Sequence, residues 1–228
     1  MQKIDLSKVL TVAIMVVAVS MVIYHLTYTQ TLFQPPIKHQ DTHLLFALLI
    51  VYLTSLKDKR KLWPLILALM VLAVVSTGYI WYFYDELEMR MGIPNLPDIV
   101  IGIILLIVVF DATWRSFGKI LPMIGLVFIA YTFFGQYLPQ PFWHFPVTIK
   151  AAISQYDIGL HGMFGLALGV SANYIFLFML LGAMFTASGT GALFTQLGSL
   201  AGKKFAGGPG MAAVTSSALV GTISGSGM

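Results

Sequence analysis

Ser216 and Ser217, followed by Ser224, Gly225 and Ser226, place hydroxyl oxygens along a stretch of glycine-loosened backbone that reads GGPGMAAVTSSALVGTISGSG over residues 207–227. Hydroxyls, together with carbonyls freed where a helix breaks, are the hard oxygen ligands that a small alkali cation takes. The apolar part, Met211 to Ile223, would form roughly 20 Å of helix at about 1.5 Å per residue, short of the roughly 30 Å hydrocarbon core of a bilayer. It therefore reads as the first arm of a re-entrant hairpin whose tip helps to bind a cation such as Na⁺. Small residues also let helices approach closely, and the pairs Gly221/Gly225 and Gly165/Gly169 have the spacing for that. On spacing alone the ion site and the packing surface both stay open.

Three other pairs carry ionisable groups at helical spacing. Asp111 and Arg115 stand at i and i+4 in the favourable order and read as a structural ion pair at a helix end, with a proton relay as the alternative. His39 and His43 share the i, i+4 spacing of zinc ligands but have no evident third ligand, so they read as interface residues and no transition-metal site is expected. Asp157 and His161 read as a cap and its neighbour. Enzyme chemistry has little to work with. There is no cysteine, Gly221-Thr222-Ile223-Ser224-Gly225 puts its serine one place late for a nucleophile elbow, and Gly208-Pro209-Gly210 is followed by methionine rather than by Lys-Ser/Thr.

These groups have to be positioned by elements suited to lipid. The 228 residues are 58% hydrophobic and only 10% charged, with a mean hydropathy of +0.86. A soluble domain carries about 25% charged residues. Six runs can span a bilayer: Val9 to Tyr28, Thr42 to Leu56, Leu62 to Tyr84, Leu96 to Thr113, Ile120 to Leu138 and Leu160 to Ala187. Each must be helical, because an isolated segment in lipid has to satisfy its own backbone hydrogen bonds. Pro64, Pro97 and Pro122 fall in first turns, where a missing N–H is harmless. The second run is the weakest, since its apolar part begins only at Leu44. The fold class is thus all-α, a polytopic transmembrane bundle of six spanning helices plus one re-entrant arm.

With the N-terminus cytoplasmic, Lys3, Lys8, Lys57, Lys59, Arg60, Lys61, Arg115, Lys119, Lys203 and Lys204 fall on one face, and only Lys38, Arg90 and Lys150 fall on the other. That asymmetry is the positive-inside pattern, and the scattered basic residues exclude a nucleic-acid stripe. The first run continues past the small-residue triplet Ala18-Val19-Ser20, so it reads as a retained anchor and not as a cleaved signal. Phe142 to Gln155 can lie flat in the outer interface as an amphipathic helix or fold as a loop over the helix tops.

The run Gly207-Gly208-Pro209-Gly210-Met211-Ala212-Ala213-Val214, leading into Ser216-Ser217-Ala218-Leu219 and Gly221-Thr222-Ile223-Ser224-Gly225-Ser226, resembles the first re-entrant hairpin of TRAP transporter membrane subunits. Gly169 to Phe178, with Ser171 and Asn173, and Asp111-Ala112-Thr113-Trp114-Arg115 are similar to the TAXI branch, whose permease fuses a four-helix small subunit to the large one. The likeness covers residues 96 to 228. It implies a multi-pass permease in a prokaryotic cytoplasmic membrane, with residues 1–114 as a small-subunit-like scaffold and 115–228 as the start of the transport domain. It further implies coupling to Na⁺ or H⁺ without an organic cofactor, delivery of small organic anions such as dicarboxylates or glutamate by a periplasmic TAXI-type binding protein, and Ser171 and Asn173 as transport-domain residues. A fused permease has many more helices and a second hairpin, so the activity is expected to belong to a larger assembly.

Overall fold

The structure is a computed structural model that describes residues 6–58, 60–158, 162–202 and 208–224. Among these the regular structure is helical: α1 (Leu6–Thr31), α2 (Pro36–Asp58), α3 (Trp63–Tyr82), α4 (Tyr84–Met89), α5 (Leu96–Phe117), α6 (Ile120–Phe134), α7 (Ile149–Ile153), α8 (Leu166–Val170), α9 (Phe176–Ala187), α10 (Thr190–Gly202) and α11 (Gly208–Ser224). Five stretches are long and apolar enough to cross a membrane: Leu6–Thr31, Trp63–Tyr82, Leu96–Phe117, Ile120–Tyr137 and Leu166–Ala187. The chain is therefore an all-α protein with the character of a multi-pass membrane protein. It falls into two compact units, Met1–Gly169 and Val170–Met228.

In the first unit α2, α3 and α5 share a core. Leu44, Leu48 and Tyr52 form one stripe of α2, Ile66, Leu69, Ala73 and Ile80 one of α3, and Leu105, Val108 and Ala112 one of α5. These i, i+3/i+4, i+7 spacings place each set on a single helix face. The opposite faces are apolar as well. Val12, Val16, Val19 and Ile23 of α1 are each more than half exposed, as suits side chains that meet lipid tails. Because lipid is as apolar as the core, close packing and hydrogen bonds hold such helices together rather than escape from water. Tyr52 supplies one such bond, its hydroxyl donating to the Val108 carbonyl at 2.9 Å. Ser76 and Thr77 of α3 dispose of their buried hydroxyls on the Leu72 and Ala73 carbonyls, each at 2.8 Å.

Local sequence sets most helix ends. Pro64 and Pro97 occupy the first turns of α3 and α5, and Gly118, at φ +74°, ends α5 in a left-handed conformation open to glycine. Leu62 to Tyr84, one run in the sequence, divides into α3 and the short acidic α4. Phe142 to Thr148 is irregular, whereas α7 runs directly into a π-helical turn, Ser154–Ile158, so the segment is part loop and part helix, with Ala152 and Ile153 buried.

In the second unit α9, α10 and α11 pack on one another. The α10 helix was not expected from the sequence, although Leu193, Leu197 and Leu200 carry the i, i+4, i+7 pattern. Gly189, at φ +80°, turns the chain from α9 into α10.

Candidate functional site

The stretch expected as a hairpin arm forms a longer helix than its apolar run suggested. With Pro209 in its first turn, α11 begins at Gly208 and has 17 residues, against 13 in α10. At about 1.5 Å per residue these are roughly 26 Å and 20 Å long, both short of a bilayer core. Gly198 of α10 lies directly on α11: a Cβ there would overlap the Ser216 hydroxyl and stand 2.9 Å from both the Ala212 carbonyl oxygen and the Ser216 nitrogen. Ser216 is half-buried in this contact and Ser217 is exposed. Both stand about two helical turns, roughly 10 Å, before the end of α11 at Ser224. That separation is too large for one small ion to touch the two serine hydroxyls and the carbonyls at the helix end together. Gly225, Ser226, Lys203, Lys204 and His161 lie outside the described residues, as do the side chains of Ser224 and Asp157.

Ser171 and Asn173 fall in a π-helical turn, Ser171–Ile175, inserted between α8 and α9. Such a turn displaces carbonyls from the regular i to i+4 ladder and is frequent at functional sites. The sequence singled out both residues, but the backbone irregularity that bears them has no clear signature in residue type.

Asp111 and Arg115 form the expected pair, with Arg115 Nε donating to Asp111 Oδ2 at 2.5 Å and Nη2 to Oδ1 at 3.2 Å. The guanidinium also stands 5.9 Å from the centre of the Tyr52 ring. Asp111 rims an apolar groove of 350 Å³ between α5 and α6, lined by Ile103, Ile107, Phe110 and Leu126 among others.

A second ion pair joins elements distant in the sequence pattern. Asp98 Oδ1 accepts from Tyr79 Oη at 2.7 Å and from Arg90 Nη2 at 3.2 Å, while its Oδ2 accepts the Asn95 N–H at 2.8 Å. One buried carboxylate thus caps α5, holds α3 and ties down the segment after α4.

A buried polar cluster lies between α1 and α2. His25 Nδ1 donates to the Met21 carbonyl at 2.8 Å, and His25 Nε2 stands 2.9 Å from His43 Nδ1. His39 Nδ1 is 3.2 Å from the Tyr24 hydroxyl, which donates to Gln34 Oε1 at 3.1 Å. The His39 ring stacks on Tyr28 with centroids 3.6 Å apart. His25, His39, Asp41 and His43 are all buried, and Asp41 Oδ1 and Gln40 Oε1 have no hydrogen-bond partner among the described residues. His39 and His43 are therefore packed inside the α1–α2 pair and not exposed on its surface. The third ring of their set comes from α1, where it looked like one polar residue in an apolar run. The connection at 32–35 was the available signal: it puts Tyr28 and His39 one helical turn from the bend, and His25 and His43 two turns from it. Among the described residues no group of three His, Cys, Asp or Glu side chains is arranged to hold a metal ion.

No family model, curated protein or solved structure matches the chain.

Proposed function

We propose that the chain is a membrane permease component of a binding-protein-dependent secondary transporter of the TRAP/TAXI type, which imports small organic anions with Na⁺ or H⁺. The observation that carries this reading is the second unit, where a helix interrupted by a π turn at Ser171–Ile175 accompanies a packed pair of helices each shorter than a bilayer. Backbone breaks at membrane depth are how secondary transporters expose carbonyls and amides to ions and anions. In this reading the end of α11 at Ser224, with Gly225 and Ser226 that follow it in the sequence, contributes to the ion site, and Ser171 and Asn173 serve the anion. The bundle formed by α1, α2, α3 and α5 is the scaffold.

This reading gives six crossings, with α2 as the sixth. Its 23 residues reach about 34 Å, enough to cross. Its polar first turns, which weaken its hydropathy, are buried against α1 rather than offered to lipid. The N-terminus is then cytoplasmic, the membrane is a prokaryotic inner membrane, and the partners are a periplasmic TAXI-type binding protein and the remaining part of the permease.

The test is uptake by the complete permease reconstituted with its binding protein under an imposed Na⁺ or pH gradient. Gradient-driven uptake of an organic anion, lost in S224A or S226A, is the expected result; uptake indifferent to both gradients would refute the coupling. The seat of Ser216 against Gly198 favours a second reading, a non-transporting scaffold or channel-type subunit whose small residues only pack helices. In that case the serine variants leave uptake by the whole system intact.

A further inference from the structure

A hydrogen bond between two imidazoles constrains their protons. A carbonyl oxygen can only accept, so His25 Nδ1, 2.8 Å from the Met21 carbonyl, carries a proton. In neutral His25 the other nitrogen, Nε2, is then an acceptor, and the bond of 2.9 Å to His43 requires His43 Nδ1 to be the donor. Neutral His43 then has its basic lone pair on Nε2. The chain of groups from His43 Nε2 through His25 to the Met21 carbonyl is an ordered proton wire with its basic end at His43. The rings are also closer than a metal would hold them: two nitrogens each about 2.0–2.1 Å from a tetrahedral ion stand roughly 3.3 Å apart.

We propose that His25 and His43, with His39 beside them, form a buried proton-binding site between α1 and α2 in which two rings share a single added proton. A proton that reaches His43 forms an Nε2–H bond and makes that ring an imidazolium. The Nδ1–H bond of His43 then breaks as the same proton forms an N–H bond at His25 Nε2. The charge moves one ring along, His43 is neutral again in its other tautomer, and His25 holds protons on both nitrogens with Nδ1 still bonded to the Met21 carbonyl. No bond to carbon changes and no redox partner is needed.

The surroundings suit a site that holds one positive charge and not two. The His25 and His43 ring centres are 5.0 Å apart and those of His25 and His39 5.1 Å, so a second imidazolium would sit against the first with little water to screen it. Asp41 of α2 is likewise buried, 2% exposed, but it stands two residues from both His39 and His43 and so on another side of the helix. Tyr24 and Tyr28 are the other ionisable groups of α1 near the rings, while Lys8 stands more than four turns away along the helix. On the elements packed against the rest of α2, Tyr79, Asp98, Asp111 and Arg115 are engaged in their own bonds, and Lys38 of α2 is turned over the Trp81 ring at 4.9 Å. Ionisable groups inside a membrane bundle are costly to keep and are functional candidates for that reason. The site is independent of the transporter reading, because it rests only on the α1–α2 pair.

Histidine ¹⁵N resonances of the full chain in lipid nanodiscs, followed from pH 4 to pH 9, test this. The expected result is that His25 and His43 respond together, in one event that takes up one proton between them. In the H43N chain, whose amide N–H can replace the His43 donor but cannot take up a proton, His25 titrates alone, with at least a tenfold change in proton affinity. Independent titration of both rings in the unmodified chain, each taking a full proton, overturns the proposal. So does the absence of any protonation of either ring across the range. The unmodified chain decides the matter even where the variant does not fold.

Discussion

Gly198 of α10 and Ser216 of α11 stand so close that a Cβ on the glycine would overlap the serine hydroxyl, and this contact sets how near the two short helices lie. The carbonyl of Ala212 and the nitrogen of Ser216 crowd the same position at 2.9 Å. Backbone atoms cannot swing aside as a side chain can, so the contact is held from three directions.

G198A should therefore destabilise the α10–α11 pair by about 1–3 kcal/mol, the usual cost of overpacking a tight contact. S216G in the same chain should recover only part of the loss, since the two backbone contacts remain. A Cβ added at Gly221 would have nothing within 4 Å of it, so G221A should be neutral, or stabilising by up to about 1 kcal/mol through helix propensity. Unfolding in mixed micelles on titration with a denaturing detergent ranks the three variants.

Removal of the Asp98 carboxylate strikes three bonds at once. The Asp98 side chain is fully buried, whereas that of Arg90 is 29% exposed, so the stranded cation recovers some hydration. D98A should cost about 2–3 kcal/mol, below the roughly 3–5 kcal/mol of a fully buried broken pair. Y79F, which loses a single hydrogen bond to the same carboxylate, should cost about 1 kcal/mol. The same detergent titration measures both, and equal losses would show that the Arg90 and Asn95 contacts contribute nothing.

His144 offers a pH-dependent contact outside the spanning helices. Its ring donates Nδ1–H to the Phe145 carbonyl at 2.7 Å and Nε2–H to the Tyr131 carbonyl at 3.0 Å. Two carbonyl acceptors demand two N–H groups, so these bonds, the Phe145 one foremost, favour the imidazolium and raise the pKa above the ordinary histidine value of 6.5. A raised folded-state pKa contributes stability that is fully present below the unfolded value and is lost as pH rises through the folded one. The stability difference between the unmodified chain and H144Q should thus be largest below about pH 6 and vanish at alkaline pH. Thermal unfolding of both chains across pH measures it, and a gap that widens with pH would contradict the geometry.

The absence of cysteine makes single-cysteine labelling clean. With α2 crossing the membrane, an impermeant maleimide added outside should label T31C, E88C and Q140C and leave K57C and S116C protected until the membrane is opened. If α2 did not cross, K57C would label with T31C.

Residue order alone determined that the chain is helical and apolar enough for a bilayer. The reason is that lipid forbids unpaired backbone, so length and hydropathy suffice to identify α1, α3, α5, α6 and the helix that ends at Ala187. The Asp111–Arg115 pair was legible too, because i, i+4 neighbours meet within one helix whatever surrounds it. The α2 helix was harder to read, since its first turns carry His39, Gln40, Asp41 and His43, and only burial against α1 explains how it keeps them. The meetings between helices were decided by the tertiary structure: His25 with His43, Arg90 with Asp98, Gly198 with Ser216. Periodicity fixes which residues share a face of one helix, but the rotation of a helix about its axis and its depth against a neighbour come from interlocking side chains on both. That is why one polar residue in an apolar run, His25, became part of a three-histidine cluster only once α1 and α2 were packed together.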